Sequence, residues 1–327
     1  MGFYGMNLKF KKEIIIATND AGGAEVLAAY VLANQKHFDF ICYTSGPAVK
    51  IMERNGIVWS KAPEKRRLIA GILRKHRNAK LVLTGTGWMT SIEVDFLVEA
   101  KRLGLRTAAL IDHFVNYRER FGFPKKDWRE NIPDQIWVTD RTAFKMAEKL
   151  FPSIRIKQIP NYYLLDIVRE YDKLKRKKSE GRSILFLSEP VGRATNTSGV
   201  KSAHHVSEFR ALRDILSIVG ALKRPVPVII RFHPSEKKGK YDDIIEKYSN
   251  TIKITKSANR KIINDIAKAK LVIGMTSMSL IASLACNKKT ISYVATDNKG
   301  GIVPAKNLIN VKTYSELCSS IRTFISQ

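Results

Sequence analysis

Two strand ends carry the side chains best suited to chemistry. Residues 228–232 read Val-Ile-Ile-Arg-Phe, and the run closes on His233-Pro234. Further on, Leu271-Val272-Ile273-Gly274 runs into Met275-Thr276-Ser277-Met278-Ser279. Arg231 and His233 are two apart, so on a strand they share a side and can converge on one anion. A guanidinium is the natural bidentate partner of a phosphate. Thr276, Ser277 and Ser279 add small hydroxyls where a helix should begin and backbone N–H groups point outward. Capping alone explains one such hydroxyl, not three. The chemistry these residues suit is recognition of a phosphorylated ligand. Ser188-Glu189-Pro190 closes another strand, where a carboxylate can accept hydrogen bonds from ribose hydroxyls. The polar loop 193–205 beyond it reads as a segment able to close over a ligand.

The first half offers a second set. Asn19-Asp20-Ala21-Gly22-Gly23-Ala24-Glu25 follows an apolar run. Gly22 and Gly23 let a ligand approach the helix start closely, and Asp20 is a candidate base. A plain strand-to-helix turn capped by Asn19 or Asp20 accounts for the same residues. Asp112-His113 ends a later strand, where a carboxylate beside an imidazole suits proton transfer; a cap plus a core-facing histidine is the alternative. The loop 116–129 interleaves basic and aromatic residues. Arg118 and Arg120 within it are candidates for holding an acceptor or a phosphate. No Asp-x-Asp, His-x-x-x-His, Cys-x-x-Cys or Gly-x-Ser-x-Gly pattern occurs. Neither a metal site, nor a cofactor, nor a serine nucleophile is therefore expected.

The elements that position these groups alternate regularly. Strands are expected at 13–18, 38–44, 57–59, 80–84, 106–111, 135–139 and 155–159, with helices between them. After a basic stretch the pattern restarts, with strands at 183–187, 226–232, 251–255, 271–274 and 290–294. Such alternation predicts an α/β protein with mainly parallel sheets. The 327 residues exceed a usual single domain. Two Rossmann-like, doubly wound domains are expected, 1–165 and 183–327, joined by a basic linker at 166–182 and facing a cleft. Ligands then lie beyond the carboxyl ends of the strands.

The net charge of +27 predicts attraction to anions. Cys42, Cys286 and Cys318 lack metal-ligand spacing and read as reduced thiols. No apolar run resembles a signal peptide or a membrane span. The expected location is the cytoplasm, with peripheral contact at the anionic inner membrane face.

His233-Pro234, Thr276-Ser277-Met278-Ser279 and Ser188-Glu189-Pro190 stand in an order that resembles bacterial glycosyltransferases of the GT-B architecture. The resemblance is to transferases using CMP-activated acidic sugars, of the sialic acid and Kdo type, and to CDP-glycerol-type polymer transferases. It covers mainly residues 183–295; the first half matches in layout only. It implies donor-phosphate or cytidine contacts by Ser188, Glu189, Arg231, His233, Pro234, Thr276, Ser277 and Ser279. It further implies an inverting, metal-independent transfer to a saccharide or lipid-linked acceptor in surface glycan synthesis. An acidic-acidic-Gly motif bearing the base has no clean copy here, so the base stays open between Asp20, Asp112 and His113. The alternatives are a nucleotide-sugar epimerase or hydrolase of the same fold, or a basic nucleic-acid-binding protein. Nucleic acid is the less expected partner, because the Lys and Arg residues are dispersed and no nucleic-acid module is recognised.

Overall fold

The computed structural model describes residues 11–87, 90–175, 181–189, 208–234, 236–257, 261–294 and 303–326. The contacts divide the chain into two compact units, Met1–Tyr163 and Leu164–Gln327.

Unit 1 is built on a parallel sheet of seven strands in the order β3-β2-β1-β4-β5-β6-β7. These are β1 (Lys12–Thr18), β2 (Phe38–Thr44), β3 (Trp59–Lys61), β4 (Leu81–Thr84), β5 (Thr107–Leu110), β6 (Gln135–Val138) and β7 (Arg155–Gln158). The interleaved helices are α1 (Ala21–Asn34), α2 (Ala48–Arg54), α3 (Arg66–Lys75), α4 (Ile92–Arg102) and α5 (Arg141–Leu150). β1 shows why the sheet is central. Ile14 and Ile16 enter one core with Leu27 and Met52, while Ile15 and Ala17 enter another with Ile69, Leu73 and Phe96. A strand covered on both faces reads as a continuous apolar run, which is the Ile-Ile-Ile of this sequence.

Unit 2 repeats the plan with six parallel strands in the order β10-β9-β8-β11-β12-β13. They are β8 (Ser183–Leu187), β9 (Val228–Arg231), β10 (Ile254–Ser257), β11 (Ala269–Gly274), β12 (Lys289–Tyr293) and β13 (Ile309–Val311). Its helices are α6 (Tyr162–Lys175), α7 (Glu208–Gly220), α8 (Asp242–Ser249), α9 (Ile263–Lys268), α10 (Ser279–Ala285) and α11 (Tyr314–Ser326). Leu271 and Ile273 of β11 share a core with Leu212, Ile215, Leu317 and Ile321.

Most expected elements stand within one to three residues of their places. The first ten residues of the expected linker, 166–175, belong to α6. β13 is an edge strand of three residues that sequence periodicity did not suggest. The expected loop 193–205 lies outside the described residues.

In each sheet the strand order reverses at one point, between β1 and β4 in unit 1 and between β8 and β11 in unit 2. Loops leaving the sheet there diverge to opposite faces, and ligands of open α/β sheets bind in the crevice so formed.

Candidate functional site

The reversal point of unit 1 gathers carboxyl groups from three loops. β1 leads into Asn19-Asp20, β4 into Gly85-Thr86-Gly87, and β5 into Ile111-Asp112-His113. Asp112 pairs with Arg120 at 3.0 Å, and both side chains are less than a tenth exposed. Arg120 also donates to the Thr86 carbonyl at 2.6 Å and to its hydroxyl at 2.9 Å. The guanidinium of Arg120 therefore stitches the β5 loop to the β4 loop.

Sequence reasoning missed Glu93, in the first turn of α4. Its two oxygens accept the Asn19 amide at 3.0 Å and the Gly87 amide at 2.7 Å, tying the β1 and β4 loops together. It is buried, and its carboxyl is pushed up to about 7 chiefly by that burial, with Asp20 and Asp112 nearby adding to the rise. The two amide hydrogen bonds act in the opposite direction. Asp20, Glu93 and Asp112 thus form a coupled group beneath the turn that carries Gly22 and Gly23.

The glycines are required by this closeness. A Cβ on Gly22 would lie 2.1 Å from Asp112 Oδ2, and one on Gly87 would lie 2.7 Å from Glu93 Oε2. Gly23 faces Gly85, whose Cα would be 3.4 Å from an added Cβ. Asp20 occupies the N-cap position of α1, but its side chain makes no capping hydrogen bond. His113 accepts the Phe114 amide on Nδ1 at 3.0 Å, which places the proton of the neutral ring on Nε2. Tyr117 is buried against this group, and its hydroxyl has no hydrogen-bond partner among the described residues. Arg118 is exposed while Arg120 is buried, so the two arginines named from the loop have different surroundings.

At the reversal point of unit 2 the anion-binding turn is already occupied by a carboxyl group of the protein. Oε1 of the buried Glu189 accepts the amides of Met275, Thr276 and Ser277 at 3.0, 2.8 and 2.9 Å. Its Oε2 accepts the Thr276 hydroxyl at 2.6 Å. Three successive N–H groups converging on one oxygen form a nest. The sequence reading left these amides for a ligand phosphate; in the structure they are satisfied by Glu189. Ser277 Oγ accepts the Ser279 amide at 3.2 Å, the one hydroxyl that capping explains.

Arg231, at the end of β9, donates to the wholly buried Asp265 at 2.8 Å, and Ser257 Oγ donates to the same carboxylate oxygen at 2.5 Å. The expected convergence of Arg231 and His233 on one anion is thus complicated by an internal counter-ion. The His233 amide donates to Glu236 Oε2 at 2.8 Å, which fixes the turn through Pro234. Ser188 Oγ bonds Glu236 Oε1 at 2.7 Å, and Lys240 lies between Glu236 and Glu208 at 2.5 and 2.6 Å. This network anchors the end of β8 to the turn after β9. The structure thus places Ser188, Glu189, Arg231, His233, Pro234, Thr276, Ser277 and Ser279 at or just beyond the carboxyl ends of β8, β9 and β11, with Arg231 ending β9 and Ser279 opening α10. It also shows that several of their polar groups are engaged within the protein.

Cys42 and Cys286 are buried, with thiols pushed up to about 12, so they are poor nucleophiles. Among the described residues no group of three or more His, Cys, Asp or Glu side chains could hold a metal ion. No helix among them is long and apolar enough to cross a membrane.

Neither protein-family models nor curated proteins give a match to this chain. Solved structures do. A UDP-GlcNAc 2-epimerase from Neisseria meningitidis bound to UDP-GlcNAc matches with a TM-score of 0.67 and 11% identity, over 96% of this chain and 91% of that one. Anabaena HepE in complex with UDP-glucose matches with a TM-score of 0.64 and 12% identity, over 96% and 89%. Acinetobacter baumannii MurG matches with a TM-score of 0.54 and 10% identity, over 97% and 91%. The two Rossmann-like units are therefore those of the GT-B fold. At such identities the likeness is one of fold. It nevertheless corrects the expectation of a CMP-sugar transferase: UDP-GlcNAc 2-epimerases recur among the matches, and the sugar nucleotides named there are UDP-linked.

Proposed function

We propose that the chain is an enzyme acting on a nucleotide sugar, with epimerisation of a UDP-linked sugar as its reaction. The observation that carries this reading is the group of Asp20, Glu93 and Asp112 at the reversal point of unit 1, braced by Arg120. Inverting a carbon centre needs a proton removed from one face and returned to the other. Two proton-holding groups must therefore stand close together with protonation states that differ near neutral pH. Asp112 and Asp20 are assigned the proton transfers, with His113 beside them. Glu93 lies behind as a positioning residue that ties the β1 and β4 loops together. Gly22 and Gly23 let the start of α1 pack closely on Asp112 and Gly85, and the exposed Arg118 is available to a phosphate.

Unit 2 is assigned the nucleotide. Ser188, Arg231, His233, Pro234, Thr276, Ser277 and Ser279 stand at or just beyond the carboxyl ends of β8, β9 and β11. Glu189 holds the turn that presents Thr276 and Ser277. Support for a uridine nucleotide comes from the fold shared with proteins whose structures hold UDP-GlcNAc or UDP-glucose. No acceptor is needed in this reading. Peripheral contact with an anionic membrane is proposed separately from this activity and rests on the basic charge.

The test is incubation of the full chain with UDP-N-acetylglucosamine or UDP-glucose in deuterium oxide, followed by proton NMR. The expected result is deuterium at one sugar carbon together with a second epimer, in the absence of any acceptor. Asp112→Asn should slow the exchange by about 10²–10⁴-fold. Turnover that begins only when a saccharide acceptor is added, with no exchange before it, would overturn the proposal.

A further inference from the structure

The basic excess has a local concentration that neither candidate site uses. Residues 56–80 contain eight Lys or Arg against a single acid, Glu64. They form β3, the edge strand of the unit 1 sheet, and α3 behind it. The helix reads Arg-Arg-Leu-Ile-Ala-Gly-Ile-Leu-Arg-Lys and has no acidic residue.

One face of α3 is accounted for by the protein. Ile69, Ala70 and Leu73 are buried. Arg66 turns towards α4 and pairs with Glu99 at 2.6 Å, with Asp95 at 4.0 Å. The other face is not accounted for. Leu68 is 51% exposed, and Ile72, one turn on, is only partly covered. Gly71 between them faces open space, since an added Cβ would meet nothing within 4 Å. Arg67, Arg74 and Lys75 on the helix and Lys65 before it are exposed. By helical spacing, Lys65, Leu68, Ile72 and Lys75 form one stripe and Arg67, Gly71 and Arg74 the next. The outer face is thus an apolar saddle of Leu68, Gly71 and Ile72 with cations at both ends. Val58, leading into β3, is 89% exposed on the same edge of the sheet.

We infer that the outer face of α3 is a docking surface for an anionic lipid bilayer. The arrangement is that of an interfacial helix, with short apolar side chains at the centre and basic side chains flanking them. Lys and Arg carry methylene stems long enough to keep the ammonium or guanidinium at phosphate level while the apolar centre sinks. A cationic surface alone would equally attract a nucleic acid. Exposed aliphatic residues on the axis of the patch, with no exposed aromatic ring on the helix to stack on bases, favour lipid. The inference is independent of the epimerase reading, because no residue of α3 belongs to the proposed sites.

The experiment is co-sedimentation of the full chain with vesicles of phosphatidylcholine, and of phosphatidylcholine containing phosphatidylglycerol, at low and high salt. Binding is expected to the phosphatidylglycerol vesicles only, weakening as salt rises. One Lys or Arg near an anionic surface contributes about fivefold in partitioning. Arg67→Gln with Arg74→Gln should therefore lower binding by at least about tenfold. Lys145→Gln with Lys149→Gln on α5, the same charge change elsewhere on the surface of unit 1, should change it by less than about twofold. Leu68→Ser with Ile72→Ser should lower binding most at high salt, where the apolar part dominates. Circular dichroism would show that each variant retains its helical content, and the two α3 pairs test the surface independently. Absence of vesicle binding would overturn the inference, as would equal losses in the α3 and α5 charge variants. So would tighter binding of a duplex oligonucleotide that Leu68→Ser with Ile72→Ser leaves unchanged.

Discussion

Glu93 concentrates the electrostatics of unit 1 in one carboxyl. Its folded-state value near 7 lies above the ordinary 4.5, so the folded protein holds a proton that the unfolded chain has already released. The stability this lends is fully present below about pH 4.5 and is lost as pH rises through 7, by an amount on the order of 3 kcal/mol. Glu93→Gln lacks that titration but turns an amide NH₂ towards one of two backbone donors, at a cost of about 1–3 kcal/mol. Urea denaturation at pH 5 and pH 8 should therefore show the variant clearly weaker at the lower pH and closer to the natural protein at the higher. A constant gap would mean that Glu93 does not titrate in this window. Gly22→Ala tests the neighbouring contact. The new methyl meets Asp112 Oδ2, so the Asp112–Arg120 pair must shift or break. A loss of about 1–3 kcal/mol is expected in thermal unfolding, with a larger fall in any deuterium exchange. Asp20, Gly22 and Asp112 were legible in the sequence because each follows an apolar strand. Glu93 was not. An acid in the first turn of an amphipathic helix reads as a complement to the helix dipole. Only the β1 and β4 loops, folded over it, reveal it as buried.

At the scale of elements, the turn from β11 to α10 depends on Glu189. Removing that carboxylate in Glu189→Ala orphans the amides of Met275, Thr276 and Ser277, which water can reach only in part. A destabilisation of about 2–4 kcal/mol is expected in chemical denaturation. Glu189→Gln should recover part of it, because the amide oxygen can still accept. If Glu189→Ala were as stable as the natural chain, the nest would be dispensable to the fold. The strands at both reversal points were legible because a buried parallel strand is a run of apolar residues with a loop at each end. Their side chains' partners were not. Arg231 finds Asp265 on α9 and Glu189 finds residues 275–277 on another strand's loop, pairings that sequence spacing does not encode. α6 fills the stretch expected to hold the interdomain helix and basic linker, and Ile167 is its single buried residue. β13 is short, and its pairing to β12 is what makes it a strand.

For the whole molecule, the dominant fact is an excess of positive charge: 57 Lys and Arg against 30 Asp and Glu. Among the described residues, ion pairs engage some of these cations, and several pairs are exposed, as with Lys256–Asp242 at 2.5 Å and Lys261–Glu170 at 2.6 Å. Exposed pairs of this kind contribute about 0–1 kcal/mol each and weaken in salt. Repulsion among the remaining cations also weakens in salt, and with a net charge of +27 it should outweigh them. The screening length falls from about 30 Å at 10 mM salt to about 10 Å at 100 mM, which is shorter than the distance across either unit. Raising sodium chloride over that range should therefore raise the midpoint of thermal unfolding by a few degrees. Sulfate should raise it further, both by exclusion from the surface and by binding to basic clusters. Scanning calorimetry at a series of salt concentrations decides the matter. A midpoint that falls with salt would mean that the ion pairs, not the repulsion, set the balance. The surface charge would then be a stabilising network rather than a field left open to an anionic partner.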